Sequence, residues 1–179
     1  MKSRACRFNT YLLAVASLVL AGCESMETKQ AARKSVPTRK AEAALLRVHL
    51  EANTNLPDRT FLVPVYREHT LLVSVDREPV LHEGHILQAT LVDLAQGHAI
   101  KIQYDKQGTQ LLDNISASFR GRRIAIVSQF GELRWLAAPV LSQRIADGQL
   151  MFLPDASREE ADRIVRGLNN LVREINKTR

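Results

Sequence analysis

Apolar and polar residues alternate with a period of two through the middle of the chain, and two later windows change to a period near 3.6. From Arg47 to Ala52, Val48, Leu50 and Ala52 stand against His49 and Glu51, the pattern of a half-buried strand. Asn53-Thr54-Asn55 and Pro57-Asp58 supply turn chemistry. Phe61, Val63 and Val65 then form one face of a second strand, and Pro64, which has no amide to donate, points to an edge or a bulge. Leu71, Val73 and Val75 repeat the alternation beyond a turn at Arg67-Glu68-His69, so these two runs are expected to pair as a hairpin. Leu87, Ala89 and Leu91 alternate before a turn at Gln96-Gly97, and Ile100, Ile102 and Tyr104 alternate after it. Leu111, Leu112, Ile115 and Phe119 predict a helix over Lys106–Phe119, capped by Asp105 and closed at Gly121.

The densest set of agreeing signals lies from Arg122 to Ile175. Ile124–Val127 is an apolar run that meets a turn at Phe130-Gly131-Glu132; a second run covers Leu133–Leu141 and a third Leu150–Leu153, which ends at Pro154. Ser157-Arg158-Glu159-Glu160 reads as a capping box. Beyond it, Ala161, Ile164, Val165, Leu168, Leu171, Val172 and Ile175 keep helical spacing without a miss. Glu159–Arg163 and Asp162–Arg166 are expected to pair along the wet face. Gly167 breaks the helical rule, which a close approach to a strand beneath it would explain. These elements predict an α+β fold, a mostly antiparallel β-sheet with two helices, Lys106–Phe119 and Ser157–Ile175, packed on one face.

The N-terminus has a different character. Lys2, Arg4 and Arg7 precede an apolar stretch, Tyr11–Leu20, too short to span a bilayer, and Leu20-Ala21-Gly22-Cys23 follows. This resembles a bacterial lipobox, which implies a lipoprotein signal peptide over 1–22 and a diacylglycerol on the sulfur of Cys23. A flexible polar tether is expected over 23–44 and a single domain over 45–176. Glu24, rather than Asp, after the cysteine favours the outer membrane of a two-membrane envelope, facing the periplasm. Of the 2 cysteines, Cys6 leaves with the signal and Cys23 carries lipid, so no thiol remains for a disulfide or a metal. The net charge of +6 includes three signal-peptide cations with no acid among them, so the basic balance is in part a targeting feature.

Candidate chemistry is sparse. His82, Glu83 and His85 have the wrong spacing for a zinc-protease helix and read as exposed turn residues; no metal and no cofactor are expected. There is no nucleophile motif and no phosphate-binding glycine loop, and Ser128 reads as a turn residue beside the hairpin. The chain is therefore not expected to be an enzyme, and no small-molecule substrate is evident. Aromatics make up only 5% of residues, which argues against stacking on nucleic acid. The candidate partner surface is Gln129, Phe130, Glu132, Arg134 and Trp135, with Arg122 and Arg123 as basic neighbours. Phe130 is expected to be exposed at the hairpin tip; Trp135 fits core and surface equally.

An ordered set of segments carries a family resemblance. Phe61-Leu62-Val63-Pro64-Val65, Glu78-Pro79-Val80-Leu81 and Ile102-Gln103-Tyr104-Asp105-Lys106-Gln107-Gly108 come first. Gly121-Arg122-Arg123-Ile124-Ala125-Ile126-Val127, Ala137-Ala138-Pro139-Val140, Ile145-Ala146-Asp147-Gly148 and Ser157-Arg158-Glu159-Glu160-Ala161 follow. Together they resemble the head subdomain of the first periplasmic domain of SecD, in the SecDF protein-export machinery, over about Phe61–Val172. The resemblance implies contact with emerging, unfolded polypeptide. The family's transmembrane helices, intramembrane acidic residues and base subdomain have no evident counterpart, so proton-driven work is not expected of this chain alone. The turn at Gln129–Glu132 and Arg134-Trp135-Leu136 depart from the family pattern. The reading is a membrane-anchored, non-catalytic binding module that engages exported polypeptide or an envelope protein. The alternative is a structural or assembly lipoprotein with one dedicated envelope partner.

Overall fold

A computed structural model of the chain describes residues 42–52 and 58–178. The signal peptide, Cys23, most of the tether and the turn at Asn53-Thr54-Asn55 lie outside the described residues. The described residues belong to one compact unit, Thr38–Arg179. Its strands are β1 (Leu45–Leu50), β2 (Thr60–Val65), β3 (Leu71–Asp76), β4 (Ile86–Leu94), β5 (Gly97–Tyr104), β6 (Ile124–Phe130), β7 (Glu132–Ala137) and β8 (Gln149–Phe152). Its helices are α1 (Lys106–Ser118) and α2 (Arg158–Thr178). The class is α+β, and every strand pairing is antiparallel. The strands are distributed over three small sheets, ordered β1-β6-β7, β2-β3 and β4-β5-β8.

Alternation decides which way each strand faces. In β1 and β6, Leu46, Val48 and Leu50 lie opposite Ser128, Ile126 and Ile124, and these residues share one face. In the third sheet, Ala89, Ile102 and Leu150 line up across β4, β5 and β8, as do Leu91, Ile100 and Phe152. The two faces close on each other and on the apolar stripe of α2 (Ala161, Ile164, Leu168, Val172) to form the main core. Leu112 and Ile115 of α1 reach the same core. The Asp105 carboxylate accepts from Gly108 N at 2.7 Å and starts α1 as expected.

The β2-β3 hairpin covers the back of the β1-β6-β7 sheet. Its inward valines, Val63, Val65, Val73 and Val75, meet Ala125 and Ala138 in a second, smaller core. Pro64 sits on the outward face of a strand that pairs only with β3, as its missing amide requires. After β2, Tyr66 takes a left-handed φ of 68°, a conformation costing roughly 1–3 kcal/mol for a residue with a Cβ. Its hydroxyl accepts from Ala138 N–H at 3.1 Å, and its ring packs on the second core.

Several local expectations are modified. A Cβ on Gly167 would stand 2.8 Å from Ala44 Cβ and 2.9 Å from Ala44 N, so the close approach is to the residue leading into β1. Ala44 is fully buried there, and Asn170 Nδ2 donates to the Glu42 carbonyl at 3.0 Å. Glu42–Ala44, read as the end of the tether, are thus packed on α2. Ser157 Oγ accepts from Glu160 N at 3.2 Å, giving the cap but not the reciprocal arm, because the Glu160 carboxylate turns to Arg134. Asp162 and Arg166 pair at 3.0 Å, whereas Arg163 pairs with Glu42 at 3.7 Å rather than with Glu159.

Candidate functional site

The β6-β7 hairpin turns at Gly131, and its register decides the site. Phe130 lies opposite Glu132 and Ser128 opposite Arg134, so these four share the face toward α2. Gln129 opposite Leu133 and Val127 opposite Trp135 share the back. The register slips by one between Val127–Trp135 and Ile126–Ala137, which makes Leu136 the extra residue of a bulge and buries it in the main core.

On the face toward α2 the expectation for Phe130 is corrected. It is half-buried against the main core, and the Arg163 guanidinium lies 4.9 Å above its ring, a cation–π contact from α2. Ser128 is likewise no turn residue; it is buried and its hydroxyl donates to the Leu45 carbonyl at 3.0 Å. Arg134 is bound at both ends of its fork, with Nη1 donating to Glu160 and Nη2 to the Asp155 carbonyl. Arg67 reaches the same Glu160 carboxylate at 3.4 Å, and Asp155 accepts from Arg67 N–H at 2.9 Å. Arg67, Phe130, Arg134 and Glu160 border a shallow hollow of about 270 Å³ between the hairpin and α2. Arg134 is thus part of an ion-paired brace that joins β7, the β2-β3 loop and the start of α2, and it is not free for a partner.

The back face holds the apolar surface. Trp135 is half-buried on the second core, with its ring 5.3 Å from His49 and 6.0 Å from Phe61. Phe61 is 37% exposed and Leu133 63% exposed. Leu133, Trp135 and Phe61 therefore present an apolar strip where β7, an edge strand of its sheet, runs close to β2. Gln129 is exposed beside it, and Glu132 is exposed on the other face. Sequence reasoning named Trp135 but missed Leu133 and Phe61, because alternation predicts a side chain's face and not whether anything covers it.

His49 ties the back face together. It is buried, its Nδ1 donates to the Asp76 carbonyl at 2.8 Å, and Phe61 and Trp135 meet its ring edge-on. Burial is the main cause that holds its imidazole below the ordinary histidine range; the Asp76 carbonyl opposes this and the Arg47 charge adds to it.

Arg122 and Arg123 are not at this site. They stand at the opposite end of β6, roughly 20 Å from the turn at a strand rise of ~3.3 Å per residue. Arg123 Nη1 donates to the Ala138 carbonyl at 2.9 Å, and Arg122 lies over Phe119 at 5.4 Å. His82 is an exposed turn residue as expected, whereas His85 is not. His82 caps a single 3₁₀ turn at Glu83–His85 and accepts from Gly84 N at 3.0 Å; His85 is buried, with its ring 3.9 Å from that of His82. Glu83 faces Arg47 at 3.4 Å. Among the described residues no group of three metal-ligating side chains converges, and no helix is long and apolar enough to cross a membrane.

No protein-family model matches the chain, and no curated protein matches it in sequence. Its fold is similar to solved SecDF structures. One, of SecDF as a membrane component that enhances protein export, superposes with a TM-score of 0.52 at 18% identity, over 72% of this chain and 63% of that one. Another, SecDF in a super-membrane-facing form, gives a TM-score of 0.52 at 20% identity, over 72% of this chain and 19% of that one. The chain thus spans under two thirds of the first SecDF chain and about a fifth of the second, with a shared SecD-like fold.

Proposed function

We propose that the chain is a non-catalytic binding module, tethered to the envelope membrane through lipid on Cys23, that engages extended segments of exported polypeptide. The observation that carries the reading is the Leu133–Trp135–Phe61 strip on an edge strand. An extended chain laid along such an edge can use backbone hydrogen bonds for affinity and place alternate apolar side chains on the strip. This needs no sequence-specific pocket, which suits unfolded clients. The fold shared with a SecDF described as enhancing protein export agrees with it.

Trp135 is the single tryptophan of the chain, so its fluorescence reports occupancy of the strip directly. Titration with a permanently unfolded, apolar-rich polypeptide is expected to shift its emission, and Leu133→Glu to weaken binding by about tenfold or more. A photo-crosslinker at position 133 in cells is expected to capture many exported chains, and one at exposed Leu94 none. A single stoichiometric product at 133 would favour a dedicated envelope partner instead, and no fluorescence response at all would remove the strip as a site. Loss of labelled fatty acid on Cys23→Ser tests the anchor separately.

A further inference from the structure

The separation of Arg122 and Arg123 from the hairpin tip leaves a basic corner with a construction of its own. The chain turns at Arg120-Gly121-Arg122-Arg123, and this turn is bonded to the segment Ala138–Ser142. Gly121 N donates to the Leu141 carbonyl at 2.8 Å, Leu141 N to the Arg122 carbonyl at 2.8 Å and Ile124 N to the Pro139 carbonyl at 3.0 Å. Arg120 Nε donates to the Ser142 carbonyl at 3.0 Å. The three arginines are therefore carried on a braced turn rather than a loose loop.

The side chains of these three arginines are in no ion pair. Among the described residues, ion pairs join Arg47, Arg67, Arg134, Arg144, Arg158, Arg163, Arg166 and Lys177 to carboxylates; none involves Arg120, Arg122 or Arg123. Asp113 is paired with Arg144, whereas Glu51 accepts from the backbone N–H of Arg123 at 2.7 Å and keeps its negative charge, which offsets part of the positive charge beside Arg123. The corner is open to solvent, with Arg120, Gly121 and Arg122 exposed. Gly121 has a left-handed φ of +86°, and a Cβ built on it would meet nothing within 4 Å. Val140, 44% exposed, stands opposite Arg123 in the bridge that closes the turn.

We infer that this corner docks the domain on an anionic phospholipid surface, with Arg120 and Arg122 against headgroup phosphates and Val140 against the interface. A braced, solvent-exposed turn suits a flat partner, whereas a peptide would be held better by a groove. Guanidinium forks match phosphate oxygens. Each arginine at an anionic surface contributes about 1 kcal/mol, so two of them change partitioning by roughly 30-fold. The inference is independent of the polypeptide-binding reading, because it uses the opposite end of β6.

Among the described residues, every strand pairing and both cores belong to the compact unit Thr38–Arg179, so that unit can be tested by itself. Co-sedimentation with vesicles containing phosphatidylglycerol is expected at low salt, with little on pure phosphatidylcholine and a loss as ionic strength rises. Arg120→Gln/Arg122→Gln is expected to reduce binding by about 30-fold. Because Arg120 also braces the turn, Arg122→Gln alone and Val140→Glu serve as independent variants; each is expected to weaken binding while circular dichroism stays unchanged. Equal binding to neutral vesicles would overturn the inference. So would an equal loss on Arg158→Gln/Arg166→Gln, or displacement by polyglutamate at charge concentrations far below those of the lipid, which would assign the corner to an acidic polypeptide.

Discussion

The core between the sheets and α2 is filled mainly by large aliphatic side chains from six strands and both helices, whereas the one behind it is filled by four valines and two alanines. The first is closed by residues distant in sequence, such as Leu46, Leu112, Ile126 and Leu168, each at most 1% exposed. The second lies beneath a two-stranded hairpin and is completed at its rim by half-buried Tyr66, Leu71 and Trp135. Polar ties do much of the remaining work there: His49 to the Asp76 carbonyl, Ala138 N–H to the Tyr66 hydroxyl, and Arg67 N–H to Asp155. A small core under a short hairpin opens at a lower free energy than a core shared by six strands and both helices. The proposed polypeptide strip lies on this less tightly held side, where an edge strand and its apolar neighbours remain partly uncovered.

The largest effect should come from the main core. Leu168→Ala is expected to cost about 2–5 kcal/mol, read as a fall in the denaturant midpoint for every spectroscopic probe together. Val73→Ala should cost about 2 kcal/mol. Its signature is local: faster amide exchange in β2 and β3 with α2 and β5 still protected. Uniform loss of protection would abolish the distinction between the two cores. Gly167→Ala tests the docking of Glu42–Ala44 on α2. Crowding against Ala44 costs about 1–3 kcal/mol and the gain in helix propensity returns about 1, so a net loss of up to about 2 kcal/mol is expected on thermal melting. Stabilisation instead would mean that Ala44 is not held against the helix.

The smallest effect concerns acid. The folded His49 imidazole titrates below its ordinary value, so the unfolded chain binds the proton first as pH falls. This contribution to stability is full above about pH 6.5 and is lost as pH falls from there through the lowered folded value. Trp135 emission should follow the same titration, because the two rings touch. His49→Gln should flatten this part of the profile; an unchanged profile would remove His49 as its source.

Much of the fold was legible because it follows from periods. The alternation around Val63 and Val73 predicted the hairpin, and the helical stripe from Ala161 to Val172 predicted α2 and its buried face. Asp105 and Ser157 were read correctly as caps, since capping uses backbone groups a few residues away. Partners distant in sequence were not legible. Glu160 was assigned to its own helix start, but Arg134 and Arg67 take its carboxylate. Phe130 at a hairpin tip was expected in solvent, but Arg163 from α2 covers it.

The chain's local pattern was therefore sufficient for strands, helices, caps and class, because each depends on residues within one turn or one strand pairing. Whether the strands formed one sheet or three, which side of β7 stayed uncovered, and which face of the hairpin carries Trp135 were decided by packing. Those outcomes depend on register, the Leu136 bulge and the arrival of α2 from the far end of the chain. Such contacts join residues tens of positions apart, and periodicity carries no record of them.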